Sequence, residues 1–224
     1  MAQAADKKSQ RDGEMFEPDL KLAETPADVI IIGGGPAGIA AAIWCVDLGL
    51  KPMILEQSDK LGGQLHHIFN PITNYPGLRA ANGREMLEKF LGSLDLQKTE
   101  VRFGARVSGI VPDQHLIEFS SGESIKAKAM IIATGVRRRR LGIPGEEQFY
   151  GKGIMASGVR DRGMVRERRV AIIGGGDAAL ENALILSDAA SATYLIHRSR
   201  VFRARREFTE ALGAAPNIEQ FLEY

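Results

Sequence analysis

The chain has 224 residues, 44% of them hydrophobic and 25% charged, so it can bury one large core or two ordinary ones without disulfides. Its 29 basic and 28 acidic residues give a net charge of +1, which does not indicate a nucleic-acid or anionic-membrane partner. No apolar run approaches the ~18 residues of a membrane span, and no signal-peptide core lies near the N-terminus. We therefore expect a cytoplasmic protein without nucleic-acid or membrane partners, and we predict no metal site.

Residues 1–27 are the first predicted segment. They are rich in Ala, Lys, Asp, Glu and Gln, contain Pro18 and Pro26, and have almost no apolar periodicity. Such a composition buries too little apolar surface to offset the entropy of ordering the backbone. We therefore predict a polar extension that is either mobile or loosely docked.

An apolar strand followed by glycines begins the predicted folded part. The β-branched run Val29–Ile32 is typical of a parallel strand buried on both faces, and it stops at Gly33-Gly34-Gly35-Pro36-Ala37-Gly38. The spacing G-x-G-x-x-G predicts a dinucleotide turn, in which Gly33 turns the chain, Gly35 admits a pyrophosphate and Gly38 lets the helix pack on the strand. The helix N-terminus then offers its amides to the phosphates.

This predicted unit continues with an alanine-rich helix over residues 37–48 and a second strand over Pro52–Leu55. Glu56 follows about 20 residues after the glycines, where a carboxylate accepts hydrogen bonds from ribose hydroxyls. The alternative is an ordinary strand-turn-helix with a surface glutamate. The single cysteine, Cys45, lies in the helix, and we interpret it as a small buried side chain that has no intramolecular disulfide partner.

The segment after Glu56 is punctuated by Gly and Pro, so we predict a loop over residues 60–77, with His66 and His67 inside it. Asn82 is the predicted N-cap of a helix that ends near Leu96. The apolar face of this helix is predicted from its 3.6-residue spacing and comprises Met86, Leu87, Phe90, Leu91 and Leu94.

Short β-like runs follow the helix, with a hairpin turn at Ser121-Gly122. The predicted strands are Val101–Phe103, Val107–Val111, His115–Phe119 and Ser124–Ile132. The last strand leads into another glycine turn, Ala133-Thr134-Gly135. The pattern predicts a β-meander after the first nucleotide unit.

The opening pattern is repeated later in the chain. The run Arg169–Ile173 leads into Gly174-Gly175-Gly176-Asp177-Ala178-Ala179, which has the G-x-G-x-x-A form. A helix over about 178–187 and a strand over residues 192–196 are predicted next. One fingerprint is weak, but two with strand and helix in place predict a protein that holds two dinucleotides.

The two predicted units end differently. After the second strand of the later unit the chain reads His197-Arg198-Ser199-Arg200, and Arg203 follows. A basic pocket suits the 2′-phosphate of NADP, which the carboxylate of Glu56 would repel. We therefore predict FAD in the first unit and NADPH in the second. A solvated basic strand end is the alternative for the arginines.

From Asp28 to its C-terminus the chain resembles the low-molecular-weight thioredoxin reductase family of flavoproteins. The matching motifs are Gly33-Gly34-Gly35-Pro36-Ala37-Gly38, Gly62-Gly63-Gln64-Leu65, Asn74-Tyr75-Pro76-Gly77, Ile131-Ile132-Ala133-Thr134-Gly135, Leu141-Gly142-Ile143-Pro144-Gly145-Glu146, Gly174-Gly175-Gly176-Asp177-Ala178-Ala179, His197-Arg198 and Phe202-Arg203-Ala204. The resemblance implies an α/β fold of two Rossmann-like dinucleotide-binding domains with parallel sheets, a β-meander in the first and an incomplete second. It places an FAD-binding domain at 28–150 and an NADPH-binding domain at 151–224.

The resemblance also implies the cofactor-binding residues. Those expected at FAD are Gly33, Gly35, Pro36, Ala37, Gly38, Glu56, Gln57, Gly63, Gln64, Leu65, Asn74, Val107, Ala133, Thr134 and Gly135. Those expected at NADPH are Gly174, Gly176, Asp177, Ala178, Ala179, His197, Arg198 and Arg203. A homodimer, and a hinge near 145–151 about which the two domains rotate, are implied as well.

Two departures from the family pattern bear on function. Ser157 and Arg160 stand where the family has its redox-active Cys-x-x-Cys, and Asp161 keeps the adjoining acid. Neither serine nor arginine supplies a thiolate, so we predict no thioredoxin reduction at this position. The family's C-terminal flavin segment is also missing, so we expect the chain to be truncated.

Three functional hypotheses remain open. The first is an FAD enzyme that oxidises NADPH and passes electrons to an unidentified acceptor, most like the ferredoxin-NADP reductases of this architecture. A basic docking face for an acidic redox protein, or else a solvated loop face, is predicted from Arg137–Arg140, Arg160, Arg162, Arg166, Arg168 and Arg169. The second is the non-catalytic half of a split flavoprotein, and the third is a thioredoxin or disulfide reductase whose thiols lie in a missing segment or a partner. No catalytic residue is assigned. For His66 and His67 two interpretations stay open, proton transfer near the flavin or a place on the surface without a catalytic role.

Overall fold

The computed structural model describes residues 22–23, 27–155 and 157–224. Their strands are β1 (Leu22–Ala23), β2 (Val29–Ile32), β3 (Pro52–Leu55), β4 (Ile72–Tyr75), β5 (Leu78–Ala80), β6 (Glu100–Arg102), β7 (Val107–Val111), β8 (Leu116–Phe119), β9 (Ser124–Lys126), β10 (Ala129–Ile132), β11 (Arg169–Ile173), β12 (Ala192–His197) and β13 (Ile218–Leu222). Their α-helices are α1 (Pro36–Asp47), α2 (Gly83–Ser93), α3 (Gly158–Asp161), α4 (Asp177–Ser187) and α5 (Arg206–Gly213). None of these helices is both long and apolar enough to cross a bilayer.

The chain packs as two units. The first unit comprises the described residues up to Leu61 together with Leu94–Thr134, and the second comprises Gly62–Ser93 together with Gly135–Tyr224. Each unit has a parallel sheet of its own, which confirms the predicted α/β class with Rossmann-like sheets. The predicted domain boundary at residue 150 stays a prediction.

The parallel sheet of the first unit has the strand order β10-β2-β3-β6. Its central strand β2 is almost free of solvent contact, with Ile30 and Ile31 fully buried on opposite faces. Such two-sided burial is what the uninterrupted β-branched run predicts. The strands β2 and β3 and the helix α1 agree with the sequence-based prediction to within one residue.

The second sheet of the first unit has the order β1-β9-β8-β7, and β7, β8 and β9 form the predicted antiparallel meander. The hairpin turn at Ser121-Gly122 is confirmed, since Gly122 has a φ of +88° and its amide donates to the carbonyl of Phe119 at 3.0 Å. The strand β1 pairs in parallel with β9, so Leu22–Ala23 of the predicted extension are docked on the meander sheet, and the mobility of the extension stays a prediction. Residues 1–21 and 24–26 of that predicted extension lie outside the described part of the chain.

The single strand predicted over Ser124–Ile132 is wrong. Its first part, β9, belongs to the meander, and its last part, β10, pairs with β2 in the parallel sheet. Ala127 marks the crossing, because its side chain is buried while its amide still donates to the carbonyl of His115 at 2.9 Å. An apolar pattern that stays continuous through a change of sheet does not show where the change occurs.

The parallel sheet of the second unit has the order β11-β12-β13, and α4 and α5 pack against it. The core of this layer is formed by Leu180, Ala183, Leu195, Leu212 and Ile218. The predicted strand-turn-helix-strand of the second fingerprint is confirmed. A further helix and strand, α5 and β13, complete this unit among the described residues.

The segment from Gly62 to Ser93 corrects the predicted loop. A 3₁₀ turn covers Gly63–His67, and β4 and β5 form an antiparallel hairpin through Pro76-Gly77, where Gly77 has a φ of +74°. The strands are short and largely exposed, so they lack the hydrophobic alternation by which a strand is predicted.

The N-cap predicted for α2 is confirmed, because the Oδ1 atom of Asn82 accepts the amide of Glu85 at 3.0 Å. The Oε2 atom of Glu85 in turn accepts the amide of Ala81 at 2.7 Å, an additional contact that fixes the start of the helix. The helix ends at Ser93 rather than near Leu96. Leu94 is nevertheless buried, so the apolar pattern continues past the last helical turn.

Candidate dinucleotide-binding sites

The first glycine turn is shaped by close backbone packing. Gly33 has a φ of +109°, and its amide donates to the carbonyl of Leu55 at 2.8 Å. A Cβ atom on Gly33 would overlap the carbonyl oxygen of Ala133, and one on Gly38 would overlap the carbonyl oxygen of Gly33. Both positions therefore require glycine, as the fingerprint predicts for a tight turn and a close helix.

The N-terminus of α1 has no side-chain cap. Gly35 is the N-cap with an extended backbone, and Pro36 occupies the first helical position. Because proline has no amide hydrogen, the first-turn donors are the amides of Ala37 and Gly38. These amides fit an external acceptor such as a phosphate.

Glu56 is fixed beside this turn. It is only 7% exposed, and its Oε2 atom accepts the amide of Gly34 at 2.8 Å. Its Oε1 atom accepts both the amide and the hydroxyl of Ser58, each at 2.8 Å. The structure thus brings the predicted acid to the predicted glycines. The sequence patterns did not identify Ser58. The feature that could have identified it is its position two residues after Glu56, from which its amide and hydroxyl can both reach the carboxylate.

The end of β10 forms the other wall of the turn. The amide of Ala133 donates to the carbonyl of Ile32 at 2.8 Å, and the Cα of Thr134 would lie 3.2 Å from a Cβ on Gly33. Thr134 and Gln57 are exposed. Val107 lies in the meander sheet instead, opposite Phe119.

The second glycine turn repeats the geometry of the first. Gly174 has a φ of +140°, and its amide donates to the carbonyl of Ile196 at 3.0 Å. Gly176 is an extended N-cap without a capping side chain, and its carbonyl accepts the amide of Ala179 at 2.9 Å. A Cβ on Gly174 would lie 3.1 Å from the Cβ of Ala179, so the helix is close but leaves room for alanine. The first-turn amides, including that of Ala178, fit a second external acceptor.

The loop after β12 folds over this turn. The imidazole of His197 lies against Gly175, where a Cβ would overlap the ring, and it stacks on Phe202 at 5.5 Å between ring centres. The Nε2 atom of His197 is 3.3 Å from the carbonyl oxygen of Val201. The amide of Arg203 donates to the carbonyl of Gly175 at 2.7 Å. His197 and Arg203 are thus held at the glycine turn, and their contact with NADPH stays a prediction.

The arginines of this loop and of the start of α5 fall into two groups. Three of them pair with carboxylates: Arg200 with Glu223 at 2.9 Å, Arg205 with Asp177 at 2.8 Å and Glu207 at 2.9 Å, and Arg206 with Glu210 at 2.6 Å. Arg198 and Arg203 are exposed and have no acidic partner within the described ranges. The two arginines predicted to bind NADPH are therefore the two whose charge is not neutralised by a neighbour.

Asp177, the first residue of α4, is engaged by the start of α5. Its Oδ1 atom accepts the backbone amide of Arg205 at 2.7 Å, and its Oδ2 atom accepts the Nε of Arg205 at 2.8 Å. These hydrogen bonds lower the pKa of Asp177 below its ordinary value, and the bond from the backbone amide of Arg205 has the larger effect. Sequence analysis did not identify Arg205, whose partner lies 28 residues away.

The remaining predicted FAD residues lie in the second unit. Gln64 donates from its Nε2 atom to the carbonyl of Val136 at 2.8 Å, next to Gly135, which has a φ of +72°. Leu65 is buried, and Asn74 is exposed on β4. The structure thus brings the Gly63-Gln64 turn to the residues that come after β10. His66 lies against Gly62 and His67 is exposed, and their proton-transfer role stays a prediction.

The residues at the position of the family's cysteine pair have structural roles. Ser157 is the N-cap of α3, where its hydroxyl accepts the amide of Arg160 at 3.3 Å. The guanidinium of Arg160 donates to both carboxylate oxygens of the buried Asp161, at 2.6 and 2.9 Å, and lies 5.4 Å from the ring centre of Phe69. This arrangement has no thiol and provides no route for disulfide exchange at this position.

Comparisons with known proteins agree with this geometry. Residues 27–217 match the family model described as pyridine nucleotide-disulphide oxidoreductase. The chain is 34% identical over 198 residues to a thioredoxin reductase of Mycoplasma pneumoniae. This alignment covers 88% of this chain and 62% of that protein. It is 35% identical to a glucosaminate ammonia-lyase of Pseudomonas fluorescens, over 83% of this chain and 58% of the relative.

A solved structure has the same fold. The crystal structure of Lactococcus lactis thioredoxin reductase matches with a TM-score of 0.73 at 31% identity, over 88% of this chain and 64% of that one. The chain thus spans about three fifths of the length of the relatives that it matches.

Proposed function

Because the chain belongs to the pyridine nucleotide-disulphide oxidoreductase family, as a thioredoxin reductase-like member, we propose that it binds FAD through residues 28–150 and NADPH through residues 151–224. The membership confirms the predicted resemblance, and the use of FAD and NADPH by thioredoxin reductases supports the two cofactors that we propose. The assignment of each cofactor to particular residues is the part that we propose.

The first glycine turn fits FAD. A phosphate group fits the uncapped amides of Ala37 and Gly38. The overlap that a Cβ on Gly33 would make with the carbonyl oxygen of Ala133 shows how closely the turn packs against the end of β10. The buried carboxylate of Glu56 provides acceptors for ribose hydroxyls, and its charge disfavours an added 2′-phosphate. Ser58 holds that carboxylate in place.

The observation that supports NADPH in the second unit is the pair of unneutralised arginines. Arg198 and Arg203 have no acidic partner in the part of the chain that the structure describes, although three neighbouring arginines do. A dianionic 2′-phosphate can form charge-assisted hydrogen bonds with both guanidinium groups. NADH lacks that phosphate, so the two guanidinium groups add nothing to its affinity.

The acceptor that we propose is an acidic redox protein rather than a disulfide at Ser157 and Arg160. When bound, FAD supplies hydride acceptance from NADPH and onward electron transfer. Arg166, Arg168 and Arg169 are exposed and make no ion pair among the described residues, so they provide a basic surface for such a partner. Arg160 and Arg162 of the predicted docking face are instead paired with Asp161 and Asp188.

An anaerobic titration of the purified protein with NADPH tests the proposal. We expect an FAD spectrum in the protein as isolated or after FAD is added, bleaching by NADPH, and weaker bleaching by NADH at equal concentration. No charge-transfer band of a thiolate is expected. Reoxidation is then compared with ferredoxin, thioredoxin and oxygen. The absence of bleaching by both coenzymes would refute the oxidoreductase assignment.

A second candidate is a nucleotide-binding module that another polypeptide completes. It is favoured by β10, which is an edge strand of the parallel sheet and leaves Ile132 65% exposed. An exposed apolar edge of this kind can pair with a further strand. If the purified chain holds FAD and turns over NADPH by itself, this candidate is wrong.

A third candidate is a thioredoxin or disulfide reductase with its thiols elsewhere, either in a longer protein or on a partner. It is favoured by the names of the M. pneumoniae and L. lactis relatives. NADPH-dependent thiol release from a disulfide substrate would support it. The homodimer and the cytoplasmic location stay predictions, and sedimentation equilibrium measures the former.

A further inference from the structure

An acidic residue begins the helix that we assign to the coenzyme phosphates. Asp177 directly follows the uncapped Gly176 and is the first residue of α4. A carboxylate at a helix N-terminus is stabilised by the helix dipole, and it competes with a phosphate for the same positive end. An unpaired Asp177 would therefore disfavour a pyrophosphate at this turn.

Arg205 engages that carboxylate through two contacts. Its backbone amide donates to one oxygen of Asp177 at 2.7 Å, and its Nε donates to the other at 2.8 Å. The same guanidinium pairs with Glu207 at 2.9 Å and lies 4.9 Å from the ring centre of Phe208. These contacts on α5 hold Arg205 in position.

We propose that Arg205 is a positioning residue for coenzyme binding, which neutralises and restrains Asp177 so that the N-terminus of α4 can accept the pyrophosphate. The inference rests on the proposed function of the second unit. It assigns Arg205 a different role from Arg198 and Arg203, because its charge is already used within the protein. The hydrogen bonds that lower the pKa of Asp177 agree with this role.

The two roles differ in their dependence on the coenzyme. The pyrophosphate is common to NADPH and NADH, so loss of Arg205 lowers the affinity for both coenzymes by the same factor. Loss of an arginine that binds the 2′-phosphate directly lowers the affinity for NADPH alone. We expect Arg205→Ala to raise both dissociation constants about threefold to thirtyfold, the range of charge effects at helix ends and near protein surfaces.

The test measures dissociation constants by calorimetry on the FAD-loaded full chain, with the oxidised coenzymes NADP⁺ and NAD⁺ in place of NADPH and NADH, because they have the same phosphates and do not reduce FAD. The variants are Arg205→Ala, Arg205→Lys, Asp177→Asn and the double variant Arg205→Ala/Asp177→Asn. Arg206→Ala is the matched control, since that arginine pairs with Glu210 on its own helix. We expect equal weakening in Arg205→Ala, a smaller loss in Arg205→Lys, restoration in the double variant and no change in the control.

Several results would overturn the proposal. A loss confined to NADPH would make Arg205 a direct ligand of the 2′-phosphate. A double variant as weak as Arg205→Ala, or an unchanged Arg205→Ala, would show that Asp177 is not the group being restrained. If Arg205→Ala fails to fold, Arg205→Lys with and without Asp177→Asn replaces it. Wild-type protein that binds neither coenzyme would refute the proposed function itself, which is a distinct outcome.

Discussion

The two glycine turns share a backbone and differ in the charge of the residues after the next strand. In both, the first glycine has a positive φ, +109° at Gly33 and +140° at Gly174, and the helix begins without a capping side chain. The first unit then has a buried Glu56 that accepts hydrogen bonds from Gly34 and Ser58, and the second has the exposed arginines Arg198 and Arg203. The shared backbone is that of a dinucleotide turn, and the charge after the next strand is the difference on which the proposed choice between FAD and NADPH depends.

The helices also approach their turns differently. A Cβ at Gly38 would overlap a backbone carbonyl, and Ala179 at the matching position is accommodated. Substitutions that remove a feature of one turn, or make it resemble the other turn, therefore test the origin of the difference between them. They show how much of that difference depends on backbone packing and how much on charge. We expect changes in backbone packing to have larger effects than changes in exposed charge.

The largest effect is expected from Gly38→Ala. Its Cβ would meet the carbonyl oxygen of Gly33, and neither backbone segment can move without disturbing β2. We expect a loss of about 3 kcal/mol in the free energy of unfolding, at the upper end of overpacking costs, together with loss of bound FAD. Urea denaturation and the FAD-to-protein ratio measure this. Gly92→Ala in α2, where the added Cβ meets open space, is the control and should be neutral or stabilising.

Removal of the acid at the first turn is expected to have the next largest effect. Glu56→Ala leaves the amides of Gly34 and Ser58 without their acceptor in a buried position. We expect a loss of about 1–3 kcal/mol in unfolding free energy and weaker FAD binding, measured by urea denaturation and equilibrium dialysis. Glu88→Ala removes only an exposed ion pair with Arg84, so unchanged FAD binding is expected there.

Removal of the free cations at the second turn should change coenzyme choice rather than stability. Arg203→Ala and Arg198→Ala are each expected to lower the ratio of NADPH to NADH affinity about tenfold, as expected for a charge-assisted hydrogen bond. The ratio is measured by calorimetry with NADP⁺ and NAD⁺, which differ by the same phosphate and do not reduce FAD. Arg200→Ala should change it less, because that guanidinium pairs with Glu223. An unchanged ratio in both Arg198→Ala and Arg203→Ala would indicate that the arginines are only a solvated strand end.

The smallest effect is the pH dependence of the Asp177–Arg205 pair. Hydrogen bonds from Arg205 lower the pKa of Asp177 in the folded protein below its ordinary 3.8, so the pair contributes stability above that value. The contribution is lost as the pH falls through the lowered folded-state pKa. The stability difference between wild type and Arg205→Ala should therefore be present at pH 6 and shrink at acid pH. Urea denaturation at both pH values measures it, and a difference that grows on acidification would contradict the sign.

Local sequence patterns predicted both nucleotide turns because their determinants are contiguous. Val29–Ile32 must be buried on both faces, and the glycines after it must turn the chain, so strand and turn were predicted together. The hairpin of β4 and β5 was missed because its side chains are mostly exposed and carry no alternation. The split between β9 and β10 was missed because the alternation of apolar and polar residues, Ile125-Lys126-Ala127-Lys128-Ala129, continues across it.

Side-chain partnerships within the sites were beyond the reach of sequence patterns. The sequence predicted a basic cluster after β12, but it could not show that Arg205 pairs with Asp177, a residue 28 positions earlier. The location of Glu56 was predicted from its spacing, and its burial with Ser58 was not. Such contacts depend on how the elements pack, which residue spacing alone does not determine.

The wall that Ala133 forms at the first turn has a consequence for the order of folding. That wall is in place only when β10 pairs with β2, and Ile132 lies opposite Ile32, about 100 positions away along the chain. The amide of Gly33 also donates to Leu55, in the next strand along the chain, just as the amide of Gly174 donates to Ile196. Because closing a long loop costs more entropy and slows folding, the contact of Gly33 with Leu55 should form before the wall at Ala133 closes the turn. The first glycine turn should therefore be completed in two steps, with the wall formed last.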